Sequence, residues 1–122
     1  MKHTEGFLKI TDDARSRVRE VDVEQTLERM KEGARLIDVR EDNEWEKGHA
    51  EGALHLGRGI IERDIEREIP DHDAEIILYC GGGYRSALAA DNLQRMGYTN
   101  TYSLAGGWSA WKQAGAPVEG GD

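Results

Sequence analysis

The stretch Ile76-Ile77-Leu78-Tyr79-Cys80-Gly81-Gly82-Gly83-Tyr84-Arg85-Ser86 decides how the rest of this chain is read. A short apolar run stops at the only cysteine. Such a run, with acidic Glu75 before it, predicts a buried strand. From Ser86 to Met96 the pattern turns helical, and Gly97 marks its stop. Cys80 is therefore expected at the C-terminal end of a strand, in a tight loop that opens a helix. Open α/β sheets bind ligands at that place. The three glycines permit positive φ and let backbone N–H groups converge. The helix start adds its positive dipole end. Negative charge on the sulfur, or on an atom attached to it, is favoured there. A buried and inert thiol is the bland alternative, but a core strand end has no need of three costly glycines.

Three further stretches point the same way. Gly48-His49-Ala50-Glu51-Gly52-Ala53, preceded by Trp45, resembles the first signature of the rhodanese (sulfurtransferase) family. Gly106-Gly107-Trp108-Ser109-Ala110-Trp111 resembles its C-terminal signature, and Leu36-Ile37-Asp38-Val39-Arg40 its early buried strand. The glycine loop from Cys80 to Ser86 resembles the family's active-site loop. Ala50 and Glu51 depart from the pattern, where the family often has a β-branched residue and proline. The resemblance spans about residues 18–118. It implies a rhodanese-like α/β fold, a mostly parallel five-stranded sheet with helices on both faces. Residues 1–17 are then a helical extension, and 119–122 a frayed tail.

Composition sets the outer limits. A chain of 122 residues fits one domain. Its 33% charged residues and lack of a long apolar run argue against a membrane span. The first residues lack the apolar stretch of a signal peptide, and a lone thiol suits a reducing compartment, so a cytoplasmic location is expected. The net charge of −8 argues against nucleic acid. It also means that local groups must hold any anionic substrate.

Along the chain, Thr11 to Asp13 can cap a helix from Ala14 to Arg19, either an edge helix or a partner-docking one. Asp22 caps a helix with apolar Val23, Leu27 and Met30, closed by Gly33. Ala34 to Arg40 is a strand. Its charged Asp38 and Arg40 need partners, and the resemblance favours bracing of the catalytic loop over a plain structural ion pair or a substrate contact. His49 reads as structural rather than as a base, because thiol–sulfane exchange needs little proton transfer. Ala53 to Leu56 is a short strand. The family's loop near the pocket mouth corresponds to Gly57-Arg58-Gly59, which makes Arg58 a candidate substrate contact beside an ordinary solvated reading. Ile60 to Ile69 is an amphipathic helix ended by Pro70. His72 between two aspartates reads as a turn, not a metal site. Thr101 to Leu104 is a strand, and Trp108 and Trp111 share one face of the last helix, packed as core beside the catalytic loop.

The resemblance implies the following chemistry. Cys80 takes the outer sulfur of an anionic donor such as thiosulfate, becomes a persulfide, and passes the sulfur to cyanide or a thiol. Gly81, Gly82, Gly83, Tyr84, Arg85 and Ser86 bind the donor and the transferred sulfur, with Arg58 as a further contact. Asp38, Arg40, His49 and Trp108 support the site. No metal or organic cofactor is implied. A protein thiol is an alternative acceptor, so a protein-to-protein persulfide carrier stays open. A phosphatase or arsenate reductase on the same fold is disfavoured, because only four residues separate Cys80 from Arg85. A non-catalytic regulatory module is disfavoured by the retained cysteine.

Overall fold

The computed structural model of the chain describes residues 2–121. Its centre is a five-stranded sheet of order β1-β6-β5-β2-β4, with every neighbouring pair parallel. The strands are β1 (Arg19–Val21), β2 (Arg35–Asp38), β4 (Leu54–His55), β5 (Ile76–Tyr79) and β6 (Thr101–Leu104). The helices are α1 (Glu5–Arg15), α2 (Val23–Lys31), α3 (Asp42–Glu46), α4 (Ile61–Glu68), α5 (Tyr84–Arg95) and α6 (Gly107–Gln113). A separate antiparallel pair joins β3 (His49–Ala50) to β7 (Val118–Glu119).

Period-2 alternation along β5 divides the core. Ile76 and Leu78 face a cluster with Ile61, Ile65 and Leu93 of α4 and α5. Ile77 and Tyr79 face the opposite cluster, with Val23 and Trp111 of α2 and α6. All four residues of β5 are fully buried, as a strand covered on both faces requires. Asp22 caps α2 through a reciprocal capping box with Gln25. Among the described residues no helix is long and apolar enough to cross a membrane.

The chain runs outward from β2 to β4, then returns to β5 on the other side of β2. The loops leaving β2 and β5 thus part in opposite directions. That reversal leaves a crevice at the C-terminal ends of the two strands, and Cys80 follows β5 directly into it.

Three local readings need correction. The first helix runs from Glu5 to Arg15, not from Ala14 to Arg19. Thr11 lies inside it, buried, and its hydroxyl donates to the Leu8 carbonyl instead of capping. The fifth strand, β1, had no visible apolar signal because two of its three residues are exposed at the sheet edge. The tail is not frayed at its start, since β7 pairs with β3 and the Pro117 carbonyl accepts from both Glu51 N and Trp111 Nε1.

Candidate active site

Cys80 is 1% exposed and sits at the floor of a cavity of about 300 Å³. Its sulfur receives the Gly83 N–H at 3.1 Å, and the Ser86 hydroxyl lies 3.5 Å away. Ser86 in turn shares a 2.8 Å hydrogen bond with Ser103 of β6. Both serines are fully buried, so a short polar chain runs beneath the thiol into the sheet. Ser86 acts here through its side chain, in the first turn of α5, because the helix begins two residues earlier than the pattern indicated.

The glycines have separate tasks. Only Gly83 takes positive φ, +99°, as the residue that turns the loop into α5. A Cβ on Gly81 would come 3.2 Å from Arg85 Nη2, so its absence admits the guanidinium. The loop is also held from behind. Trp108 N donates to the Cys80 carbonyl at 2.7 Å, and Ser109 N to the Gly81 carbonyl at 3.2 Å. The first turn of α6 therefore directs free N–H groups at the Cys80 loop. Gly107 makes this approach possible, since a Cβ there would collide with the Cys80 carbonyl.

Arg85 does not stand free. Its two terminal nitrogens bind the Glu44 carboxylate at 2.7 and 3.1 Å, a bidentate pair between α5 and α3. Glu44 holds the guanidinium above its ordinary range, and Cys80 adds to that against the opposing effect of burial. Reciprocally, Arg85 holds the Glu44 carboxyl below the usual carboxylate range. Glu44 escaped the sequence reading, being one of several acids in a polar stretch with no motif to single it out.

Asp38 and Arg40 form a buried ion pair below the crevice. Arg40 Nη2 lies 2.8 Å from Asp38 Oδ2, and its Nε is 3.1 Å from both carboxylate oxygens. Tyr79 donates its hydroxyl to Asp38 at 2.6 Å and accepts from Ala50 N at 3.0 Å. Burial first, and then the Asp38 charge, push the Tyr79 phenol well above its ordinary value. Arg40 further donates to the Gly48 carbonyl at 2.7 Å and places its guanidinium carbon 4.6 Å from the Trp108 ring centroid. Burial works against the Arg40 charge, but the bonds and charge of Asp38 outweigh it. This network joins β2, β5, the β3 turn and α6. Trp108 itself is half-buried and lines the Cys80 cavity, while Trp111 is the core residue of the pair.

Two candidates lie away from the thiol. Arg58 does not line the cavity. From the turn before α4 it pairs with Glu62 at 3.0 Å, and it faces a separate concavity beside His55. Arg58 therefore stands apart from the Cys80 cavity, held by a carboxylate in the first turn of α4. His49 stacks on Trp45 with ring centroids 3.4 Å apart, and its Nδ1 is 3.0 Å from the Trp45 carbonyl. It too lies outside the cavity lining. Among the described residues no cluster of three or more His, Cys, Asp or Glu has metal-binding geometry. A wider groove along α2 is lined by solvated charges such as Asp22, Glu28 and Arg29, and holds no nucleophile.

The remaining cavity wall comes from the N-terminus, where His3 and Phe7 face Tyr84. The sequence carried no sign of this, since α1 lies outside every motif.

Comparison with known proteins shows the family. The rhodanese-like domain family model matches residues 22–114. The thiosulfate sulfurtransferase GlpE of Haemophilus influenzae is 32% identical over 102 residues, covering 83% of this chain and 94% of that protein. A structure from Rhodopseudomonas palustris CGA009, of unknown function and described as a possible tyrosine phosphatase, is 30% identical. It superposes with a TM-score of 0.81 over 98% of both chains. The polysulfide-sulfur transferase homodimer of Wolinella succinogenes shares the fold, with 24% identity and a TM-score of 0.81 over 93% of this chain and 87% of that one. With a single cysteine in a glycine loop at the switch point of a parallel sheet, and a family match across most of its length, this chain belongs to the rhodanese-like domain family.

Proposed function

We propose that the protein is a sulfurtransferase that carries sulfane sulfur on Cys80. The observation that carries this reading is the position of the Cys80 sulfur. It lies at the floor of a cavity, beneath the glycine loop, with the Gly83 N–H and the Ser86 hydroxyl directed at it. The thiolate attacks the outer sulfur of a donor such as thiosulfate. The S–S bond breaks, and sulfite leaves with its electron pair. The outer sulfur stays on Cys80 as a persulfide anion, whose charge suits the loop's N–H groups and helix terminus. Cyanide or a thiolate then takes that sulfur as thiocyanate or a new persulfide, and the Cys80 thiolate returns. No redox cofactor enters this balance. A reducing, cytoplasmic setting suits such a thiol, and a protein thiol as acceptor remains compatible with the scheme.

The rival reading is a phosphatase, the activity suggested for the Rhodopseudomonas relative. Here the only arginine on the Cys80 loop has both terminal nitrogens on Glu44, and four residues rather than five separate it from the thiol. Any dianion, phosphate or thiosulfate, meets that carboxylate, so it is the shorter loop that disfavours a phosphatase. The test is intact mass. Thiosulfate should add one sulfur atom to the protein, and cyanide should remove it. A protein that takes up no sulfur from any sulfane donor, yet hydrolyses an aryl phosphate, would be a phosphatase instead.

The Glu44–Arg85 pair yields a second expectation. If Arg85 meets the donor anion, Glu44 competes with it. Glu44→Gln should lower the KM for thiosulfate, and Arg85→Ala should raise it. The pair is about one-third exposed (29% and 33%), so each change should be modest, about fivefold. Equal KM values in both variants would reduce Arg85 to a strut between α3 and α5.

A further inference from the structure

The cavity above Cys80 is larger and more aromatic than an inorganic donor requires. Thiosulfate has five heavy atoms, whereas about 300 Å³ reaches the lower end of the range of pockets that hold larger organic ligands. Gly81 and Gly82 of the loop and Arg85 line part of it. Rings from three separate segments occupy the rest: His3 and Phe7 from the N-terminus, Tyr84 from α5 and Trp108 from α6. His3 and Tyr84 have ring centroids 4.3 Å apart, His3 and Phe7 5.2 Å, and Phe7 and Tyr84 6.1 Å.

This wall is anchored. The Arg15 guanidinium carbon sits 4.4 Å from the Tyr84 ring centroid. Just beyond α1, Arg17 binds Asp91 of α5 at 2.8 and 3.0 Å, and its carbonyl accepts from Gln94. Thr11 and Ala14 bury the inner face of the helix. The family match begins only at residue 22, so the His3 and Phe7 part of the wall lies outside the matched domain. The Rhodopseudomonas structure, superposing over 98% of this chain, extends over α1 as well.

We propose that α1 and the residues just before it make this pocket selective for organic sulfane donors, thiosulfonate anions bearing an aromatic or bulky apolar group. Phe7 and His3 are the specificity-determining residues. The proposal rests on the sulfur-transfer reading. The donor's outer sulfur meets Cys80 and its sulfonyl oxygens face the loop N–H groups. The organic group lies among the rings, where apolar burial and aromatic contact favour it. The Cys80 thiolate bonds to the outer sulfur, the S–S bond breaks, and its electron pair departs with the organic sulfinate. Charge balances without a proton or an oxidant.

Benzenethiosulfonate and methanethiosulfonate present the same reacting group and differ only in what the wall would touch. Their ratio of kcat/KM, with cyanide as acceptor, isolates that contact, and intrinsic reactivity cancels when variants are compared. Phe7→Ala should lower the benzene-to-methane ratio at least about fivefold. His3→Ala should lower it in the same direction. Phe7→Leu, which preserves apolar packing should the alanine variant fold poorly, should give an intermediate value. Ile10→Ala, on the exposed face of α1 (53% exposed), should leave the ratio at the wild-type value. Persulfide formation from both donors, with the ratio unmoved in Phe7→Leu and His3→Ala, overturns the proposal and leaves sulfur transfer intact. Absence of a persulfide from every donor removes the sulfur-transfer reading itself.

Discussion

A Cys80→Ser protein should fold normally and transfer no measurable sulfur. The serine hydroxyl fits the same polar surroundings, with the Gly83 N–H and the Ser86 hydroxyl as partners. Its thermal stability should therefore stay within about 1 kcal/mol of the wild type. Chemistry is another matter. An alcohol is a poor nucleophile toward sulfur at neutral pH, and the persulfide has no counterpart on oxygen. Thiocyanate formation should fall by at least about 10⁴-fold, on the scale seen when a covalent nucleophile is removed elsewhere. Intact mass after thiosulfate should show no added sulfur. Residual turnover above a few per cent, or a sulfur adduct in the variant, would place the carrier on another group.

The second large effect falls on stability. Asp38 is 0% exposed and Arg40 3%. Asp38→Ala would leave the Arg40 guanidinium buried without its counter-ion and the Tyr79 hydroxyl without its acceptor. Breaking a buried pair in this way costs about 3–5 kcal/mol. That is a large share of the roughly 5–15 kcal/mol holding a typical domain together. The melting temperature should drop by roughly 10–20 °C. The loss is mainly the cost of one orphaned charge, so removing both partners should hurt less. Asp38→Leu combined with Arg40→Met should regain much of the stability, though not the anchoring of the Gly48 carbonyl and the Trp108 ring. Urea denaturation of the single and double variants checks both statements. A single variant within about 1 kcal/mol of wild type would mean that water or a neighbouring group compensates Arg40.

The sequence by itself determined the parts governed by short-range rules. An apolar run ending in Cys80 and three glycines specified a buried strand and a helix-opening loop. Spacings of three and four set the isoleucine stripe of α4, and Asp22 announced the start of α2. Motif order along the chain carried the family. Edge strands escaped this reading, because β1 and β7 are short, largely exposed, and exist only through their partners.

The composition of the site was a tertiary decision. Glu44 meets Arg85 across 41 positions, and Tyr79 meets Asp38 across the same separation. Arg58 looked available until Glu62, in the first turn of the helix that follows it, took its guanidinium. Phe7 lies 77 positions from Tyr84 in sequence, yet their rings share one wall because α1 docks on α5 through Arg17 and Asp91. No local periodicity encodes such pairings. They follow from which faces the helices bury and where the parallel sheet reverses its direction, and only the folded chain brings those faces together.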